Sequence, residues 1–194
     1  MPRPASKVRA TYDDVLAAPE HMRAEIIGGE LVLTPPALAR HGVAIQRLTN
    51  VLLAPFVDGT GGPGGWVMLP NPELRFQTDG LEILVPDIGA WHRPRLPDMP
   101  KKKAIPVRPD WVCEVLSPGT ERRDRSIKKK VYAREKVGHL WLVQPANGVI
   151  EAFALSGDTL EAAGTWSIPS TPGTPVRIPP FEGVPLDLSN LWKW

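Results

Sequence analysis

Pro109-Asp110-Trp111-Val112-Cys113-Glu114-Val115-Leu116-Ser117-Pro118 is an apolar run closed by proline at both ends, with one carboxylate at its centre. Its length and its apolar content predict a buried strand. Downstream, residues 124–137 predict a helix with Gly138 as C-cap, and Leu140-Trp141-Leu142-Val143 predicts a second buried strand stopped by Pro145. A strand, a helix and a strand in succession imply a sheet with helices packed on it.

The segments on either side extend this pattern. Residues 66–69, 73–77 and 81–91 are strand-like, the last interrupted by Pro86, which predicts a bulge or strand end. Residues 93–109, rich in proline and lysine, predict a surface loop. Ile45, Leu48, Val51, Leu52 and Phe56 recur at helical spacing and predict a helix over residues 41–57. Gly59, Gly61 and Gly64 formally match G-x-G-x-x-G, but a helix precedes them and strands follow, so the dinucleotide reading is rejected. Gly28-Gly29 predicts a hairpin turn between Glu25-Ile26-Ile27 and Glu30-Leu31-Val32-Leu33, and Thr11 with Asp14 predicts a capped short helix. Residues 149–155 and 159–163 predict another hairpin, and a proline-rich tail runs on from Ser167. The expected architecture is one mixed sheet flanked by two principal helices, an α/β or α+β domain over residues 11–194 behind a flexible arm of residues 1–10.

Composition narrows the function classes. Among 194 residues there are 23 prolines, too many for a mainly helical protein, and a single cysteine, which excludes a disulfide framework. No apolar run approaches the ~18 residues of a membrane span, and Met1-Pro2-Arg3-Pro4 does not open a secretory signal, so a soluble cytoplasmic protein is expected. The net charge of +2 hides a basic middle: residues 93–136 carry a balance of +8 between ends of −3 each. Such a segment either faces an anion or is a solvated face.

Chemistry points to two acids. Asp87 follows Val85-Pro86, and Glu114 sits between Cys113 and Val115, both in segments predicted to be buried. A carboxylate among apolar neighbours must be ion-paired, protonated or bound to a cation. Were the two strands adjacent, one Mg²⁺ or Mn²⁺ could lie between the acids; a lysine or arginine partner is the other solution. Asp124, Lys128 and Tyr132 share one face of the following helix, so the Lys128 ammonium could offset charge on a phosphate, while Lys129 and Lys130 point elsewhere. His21, His92 and His139 are too scattered for a metal motif, Ser117 lacks a nucleophile elbow, and Cys113, Trp66, Trp111 and Trp141 read as core. Trp192 and Trp194 would cap the core or serve an interface.

Taken in order, Ala24-Glu25-Ile26-Ile27-Gly28-Gly29-Glu30-Leu31, Pro35-Pro36, His41, Pro86-Asp87, the run from Pro109 to Pro118, residues 124–132 and residues 138–145 resemble the Uma2-like (DUF820) proteins of the PD-(D/E)XK nuclease superfamily. The resemblance implies a restriction-endonuclease-like core with an N-terminal hairpin. It also implies Asp87 and Glu114 as ligands of Mg²⁺ or Mn²⁺, Glu25 as an additional acid, and His41 close to the site. The usual lysine two residues after the second acid is absent, since position 116 is leucine, and Lys128 would supply the ammonium from the next helix. Gly28, Leu140 and Gln144 also depart from the family pattern.

The implied function is a metal-dependent endonuclease cutting DNA. Lys101, Lys102, Lys103, Arg122, Arg123 and Arg125 would contact backbone phosphates without reading sequence. Selectivity would come from a partner or from assembly into a homodimer. A non-catalytic nucleic-acid-binding module and a structural protein with an ion-paired core are the alternatives.

Overall fold

The computed structural model describes residues 9–101, 103–168 and 173–191. Lys102, Trp192, Trp194 and residues 1–8 of the expected arm lie outside the described residues. Where that arm meets the domain it is tied down, the Ala10 N–H donating to the Gly29 carbonyl at 2.8 Å.

The first helix, α1 (Tyr12–Leu16), starts as the sequence indicates, with the Thr11 N–H donating to Asp14 Oδ2 at 2.7 Å. Strands β1 (Arg23–Ile27) and β2 (Glu30–Thr34) form the hairpin, and Gly28 and Gly29 take φ of 63° and 81°, a turn that side chains resist. Helix α2 (Ala39–Leu52) runs into a wider π-helical turn over Leu53–Asp58, which contains Pro55 and so lacks one amide donor. Next come β3 (Trp66–Pro70), β4 (Glu73–Phe76), β5 (Glu82–Leu84), β6 (Ile88–His92) and β7 (Ala104–Ile105). The second helical stretch follows β8 (Trp111–Val115) and has three parts: α3 (Glu121–Arg123), a π-helical turn at Asp124–Lys128, and α4 (Lys129–Arg134). Strands β9 (His139–Gln144), β10 (Val149–Ser156) and β11 (Thr159–Ser167) complete the order.

The mixed α+β class holds, but the strands divide over two sheets instead of one. They are ordered β2-β1-β5-β4-β7 and β11-β10-β9-β8-β6-β3. The division falls at Pro86. The stretch expected as one interrupted strand is β5 in the first sheet and β6 in the second, and Val85-Pro86-Asp87 carries the chain across. A second crossing at Asn71-Pro72 lies beside it, and the Asn71 N–H donates to the Asp87 carbonyl at 3.0 Å.

Three apolar layers result. The space between the sheets holds Leu74, Phe76 and Leu84 from one, Trp91, Val112 and Leu142 from the other, and Val131 and Tyr132 from α4. The outer face of the six-stranded sheet packs on α2 and on the tail, where the Phe181 ring lies 4.7–5.5 Å from those of Phe56, Trp66, Trp111 and Trp141. Cys113 belongs to this layer, as expected. The short α1 covers Ile26 and Ile83 on the outer face of the other sheet.

Two local expectations are corrected. The helix ends before Gly138: Lys136 takes the left-handed conformation at φ 61°, and the Val137 N–H returns to the Tyr132 carbonyl at 2.9 Å. Gly138 is needed for clearance instead, since a Cβ there would meet the Asp110 carbonyl oxygen at 3.0 Å. Residues 93–109 are not all surface: Leu96 is buried, and β7 pairs in parallel with β4. No helix among the described residues is long and apolar enough to cross a membrane.

Candidate active site

Strand register brings the two acids together. In the antiparallel β6–β8 pair Ile88 faces Cys113, so the next step places Asp87 alongside Glu114. Alternation then sets the face: Cys113 and Ile88 point to the α2 layer, and Glu114 and Asp87 to the space between the sheets. Asp87 is buried and fully engaged. The Val115 N–H donates to its Oδ2 at 2.7 Å, and Arg23 Nη1 and His41 Nε2 donate to its Oδ1 at 3.1 and 3.0 Å. Arg23 also donates to Asn71 Oδ1 at 2.7 Å, fastening the two sheet crossings to β1.

The second half of the cluster centres on Lys128, which is 1% exposed. Its Nζ lies 2.8 Å from Glu25 Oε1, 3.0 Å from Glu114 Oε1 and 3.7 Å from Asp124 Oδ1. Glu25 comes from β1 and Glu114 from β8, so one ammonium joins carboxylates of different sheets. The π-helical turn carries both Asp124 and Lys128 inward, although a lysine of α4 one residue later, Lys129, lies over the Phe153 ring at 3.6 Å. The Tyr132 hydroxyl donates to Glu114 Oε1 at 2.6 Å, and the Val85 N–H donates to Glu25 Oε1 at 2.8 Å.

Negative charge dominates this pocket. Among the described residues, Glu25, Asp87, Glu114 and Asp124 face the permanent cations Lys128 and Arg23, with Arg123 acting on Asp124. Burial lifts the Glu114 carboxyl to about 8; Lys128 pulls it down, and Asp124, Asp87 and Glu25 push it up again. Burial also raises Asp124 despite Lys128, and raises the Tyr132 phenol well above its ordinary value. Asp87 goes the other way: burial alone would raise it, but the hydrogen bond and charge of His41, with Arg23 and the Val115 N–H, hold it below the usual range. For Lys128, burial is outweighed by Glu114, Glu25 and Asp124, so it stays protonated.

A pH dependence follows. Folded Glu114 keeps its proton to about 8, whereas the unfolded chain releases it near 4.5, so the folded state binds more protons between these values. Stability of the metal-free protein is therefore expected to fall as pH rises from about 4.5 to 8, by on the order of 2–4 kcal/mol from this group. Urea unfolding at pH 5 and pH 8 in EDTA would show it, and Glu114→Gln should remove the greater part of that slope.

The donor set suits a hard divalent cation. All four acids offer carboxylate oxygen, and Glu25 Oε2 and Asp124 Oδ1 are buried without a hydrogen-bond partner in the structure. Among the described residues no three His, Cys, Asp or Glu side chains already converge as a metal cage, so a cation would have to draw these carboxylates together.

The basic residues expected around the site are dispersed. Arg123 Nη2 donates to Thr34 Oγ1 at 3.0 Å, and Arg122 is exposed on α3. Arg125 instead clamps Glu151 on β10, at 2.7 and 2.9 Å, and pairs with Glu121. Lys101 is exposed and Lys103 pairs with Glu73 at 3.1 Å, beside β7 at the opposite edge of the sheet from β2. His21 and His92 are exposed, while His139 is half-buried in β9. Arg23 was not foreseen, although it shares a face of β1 with Glu25, two residues on; strand alternation carried that signal.

Residues 10–189 match Uma2, a family described as "Putative restriction endonuclease". Among solved structures, a "putative nuclease belonging to DUF820" from Anabaena variabilis ATCC 29413 matches with a TM-score of 0.72 at 20% identity, covering 95% of this chain and 98% of that one. At that identity the likeness is one of fold. No curated protein matches the chain.

Proposed function

The chain belongs to the Uma2 family, and from that membership we propose that it is a divalent-metal-dependent endonuclease hydrolysing DNA phosphodiester bonds at the cluster of Glu25, Asp87, Glu114 and Lys128. The observation that carries the reading is the buried Lys128 ammonium within 3.0 Å of carboxylates from both sheets, with Asp87 alongside. Position 116, where the family's lysine would stand, is a leucine buried between the sheets, and Lys128 brings an ammonium to Glu114 from the following helix.

Glu25, Asp87 and Glu114 would hold Mg²⁺ or Mn²⁺. Such an ion, when bound, supplies Lewis-acid polarisation of a phosphodiester. The chain's own residues do the rest. Arg23 and His41 fix the Asp87 carboxylate, and Tyr132 fixes that of Glu114, so both acids keep their orientation without solvent. Lys128 presents a permanent positive charge where negative charge gathers on phosphate oxygen. Arg122, exposed on the same helical stretch, and Arg123, bonded to Thr34, would touch flanking phosphates.

One observation favours a second reading, a binding module without catalysis: Lys128 already ion-pairs with two of the acids from within. Plasmid cleavage decides between them. The wild-type protein with Mg²⁺ or Mn²⁺ is expected to nick or linearise DNA, EDTA to stop it, and Glu114→Gln to show none. Equal cutting by wild type and Glu114→Gln would trace the activity to a contaminant and remove the enzymatic reading. DNA binding with no cutting under either metal would favour the module.

A further inference from the structure

A cavity of about 820 Å³ opens between the C-terminal end of β4, the segment after β7 and the C-terminal end of α4. It is a different place from the acid cluster. The cluster gathers at Asn71, just before β4 begins, and at Asp124 and Lys128, whereas the cavity lies past the other end of β4 and at Arg134 to Lys136. From Lys128 to Arg134 the helix alone advances roughly 9 Å.

Four cations line it, Arg75, Arg108, Arg134 and Lys136, against one carboxylate, Glu135. Two of the four are spoken for. Arg134 reaches Glu82 at 2.9 Å, Glu135 at 3.2 Å and Asp79 at 3.6 Å, and Lys136 pairs with Asp158. Glu135 is satisfied in turn, accepting from the Thr78 hydroxyl at 2.6 Å. Arg75 and Arg108 are different: neither makes an ion pair among the described residues. The Arg75 guanidinium lies 5.5 Å from the centre of the Tyr12 ring, and the Tyr12 hydroxyl donates to Glu73, which Lys103 also engages. Arg108 donates to the Lys136 carbonyl.

Two arginines therefore line one concavity without an ion-pair partner among the described residues, one of them with its guanidinium over the Tyr12 ring. Planar guanidinium forks bind phosphate oxygens in pairs, and the cavity is of the size that takes a nucleotide-sized ligand. We propose that this cavity is a phosphate-binding site, taking either a free phosphate compound or the phosphorylated end of a nucleic-acid strand. The assignment does not rest on the nuclease reading, because none of its residues belongs to the acid cluster.

Titration calorimetry on the full chain in EDTA tests it with three probes: pyrophosphate, a 5′-phosphorylated tetradeoxynucleotide and the same oligonucleotide with a 5′-hydroxyl. At least one phosphate probe is expected to bind, and Arg75→Gln and Arg108→Gln each to weaken it about tenfold. Glu114→Gln should leave this binding in place, which separates the result from any failure of the nuclease reading. Pyrophosphate alone binding names a free phosphate compound as the ligand, and a preference for the 5′-phosphorylated over the 5′-hydroxyl strand names a strand end. Arg108 also holds a backbone carbonyl, so Arg75→Gln, checked for an unchanged melting temperature, is the deciding variant. No binding of either phosphate probe, or binding that Arg75→Gln leaves within about twofold of wild type, overturns the proposal.

Discussion

Lys128→Met is expected to lower the free energy of unfolding at pH 8 by about 3–5 kcal/mol, the usual cost of stripping a buried charge of its partner. Methionine matches the lysine stem in length, so packing in the space between the sheets is little disturbed. What goes is the ammonium that stands 2.8 Å from Glu25, 3.0 Å from Glu114 and 3.7 Å from Asp124. The three carboxylates then repel one another in a site from which water is excluded. They can escape only by taking up protons, so the loss should shrink as pH falls towards 5. Urea unfolding at the two pH values measures it, and adding Glu114→Gln to the variant should restore part of the deficit. A Lys128→Met protein as stable as wild type at pH 8 would mean that the acids are neutralised some other way.

Asp87→Asn is expected to abolish function and to cost the fold part of its stability. The asparagine amide oxygen can still accept from the Val115 N–H, now 2.7 Å from Asp87 Oδ2, so the crossing between sheets keeps its anchor. The negative charge disappears, and with it one ligand of the proposed cation and the partner of Arg23 and His41. Mn²⁺ affinity should fall at least about tenfold and DNA cleavage about a thousandfold; the melting temperature should fall as well, because the asparagine NH2 then meets the Arg23 and His41 donors that Oδ1 now accepts from. Retained Mn²⁺ binding and retained cleavage together would remove Asp87 from the site.

Much of this architecture was legible because its signals are local. The Gly28-Gly29 turn needs positive φ at both residues, and β8 is bounded by prolines on either side. The division into two sheets was not local. Pro86 marks the break, but whether the chain bends or changes sheet depends on β5 pairing with β1 and β4, and β6 with β3 and β8. The same holds for charge. Sequence placed Arg125 among phosphate contacts, yet its partner Glu151 lies on β10, beyond any local pattern. Phe181, in the proline-rich tail, anchors an aromatic cluster because Trp111 and Trp141 present their rings to it. In the acid cluster, apolar surroundings singled out Asp87 and Glu114, the 3.6-residue helical repeat Lys128, and the likeness to a family Glu25. The roles of Asp124 and Tyr132 on that same helical face emerged only with the π-helical turn and the facing sheet.

Glu25 and Glu114 hang from different sheets, and Lys128 spans them like a rivet through two plates. Any sliding of the plates, whether from thermal breathing or from a change in the filling between them, stretches both ammonium contacts at once. The tilt between the layers is thereby written into the chemistry: side chains such as Leu74 and Leu142, which touch no reacting group, set the gauge to which the cluster is built.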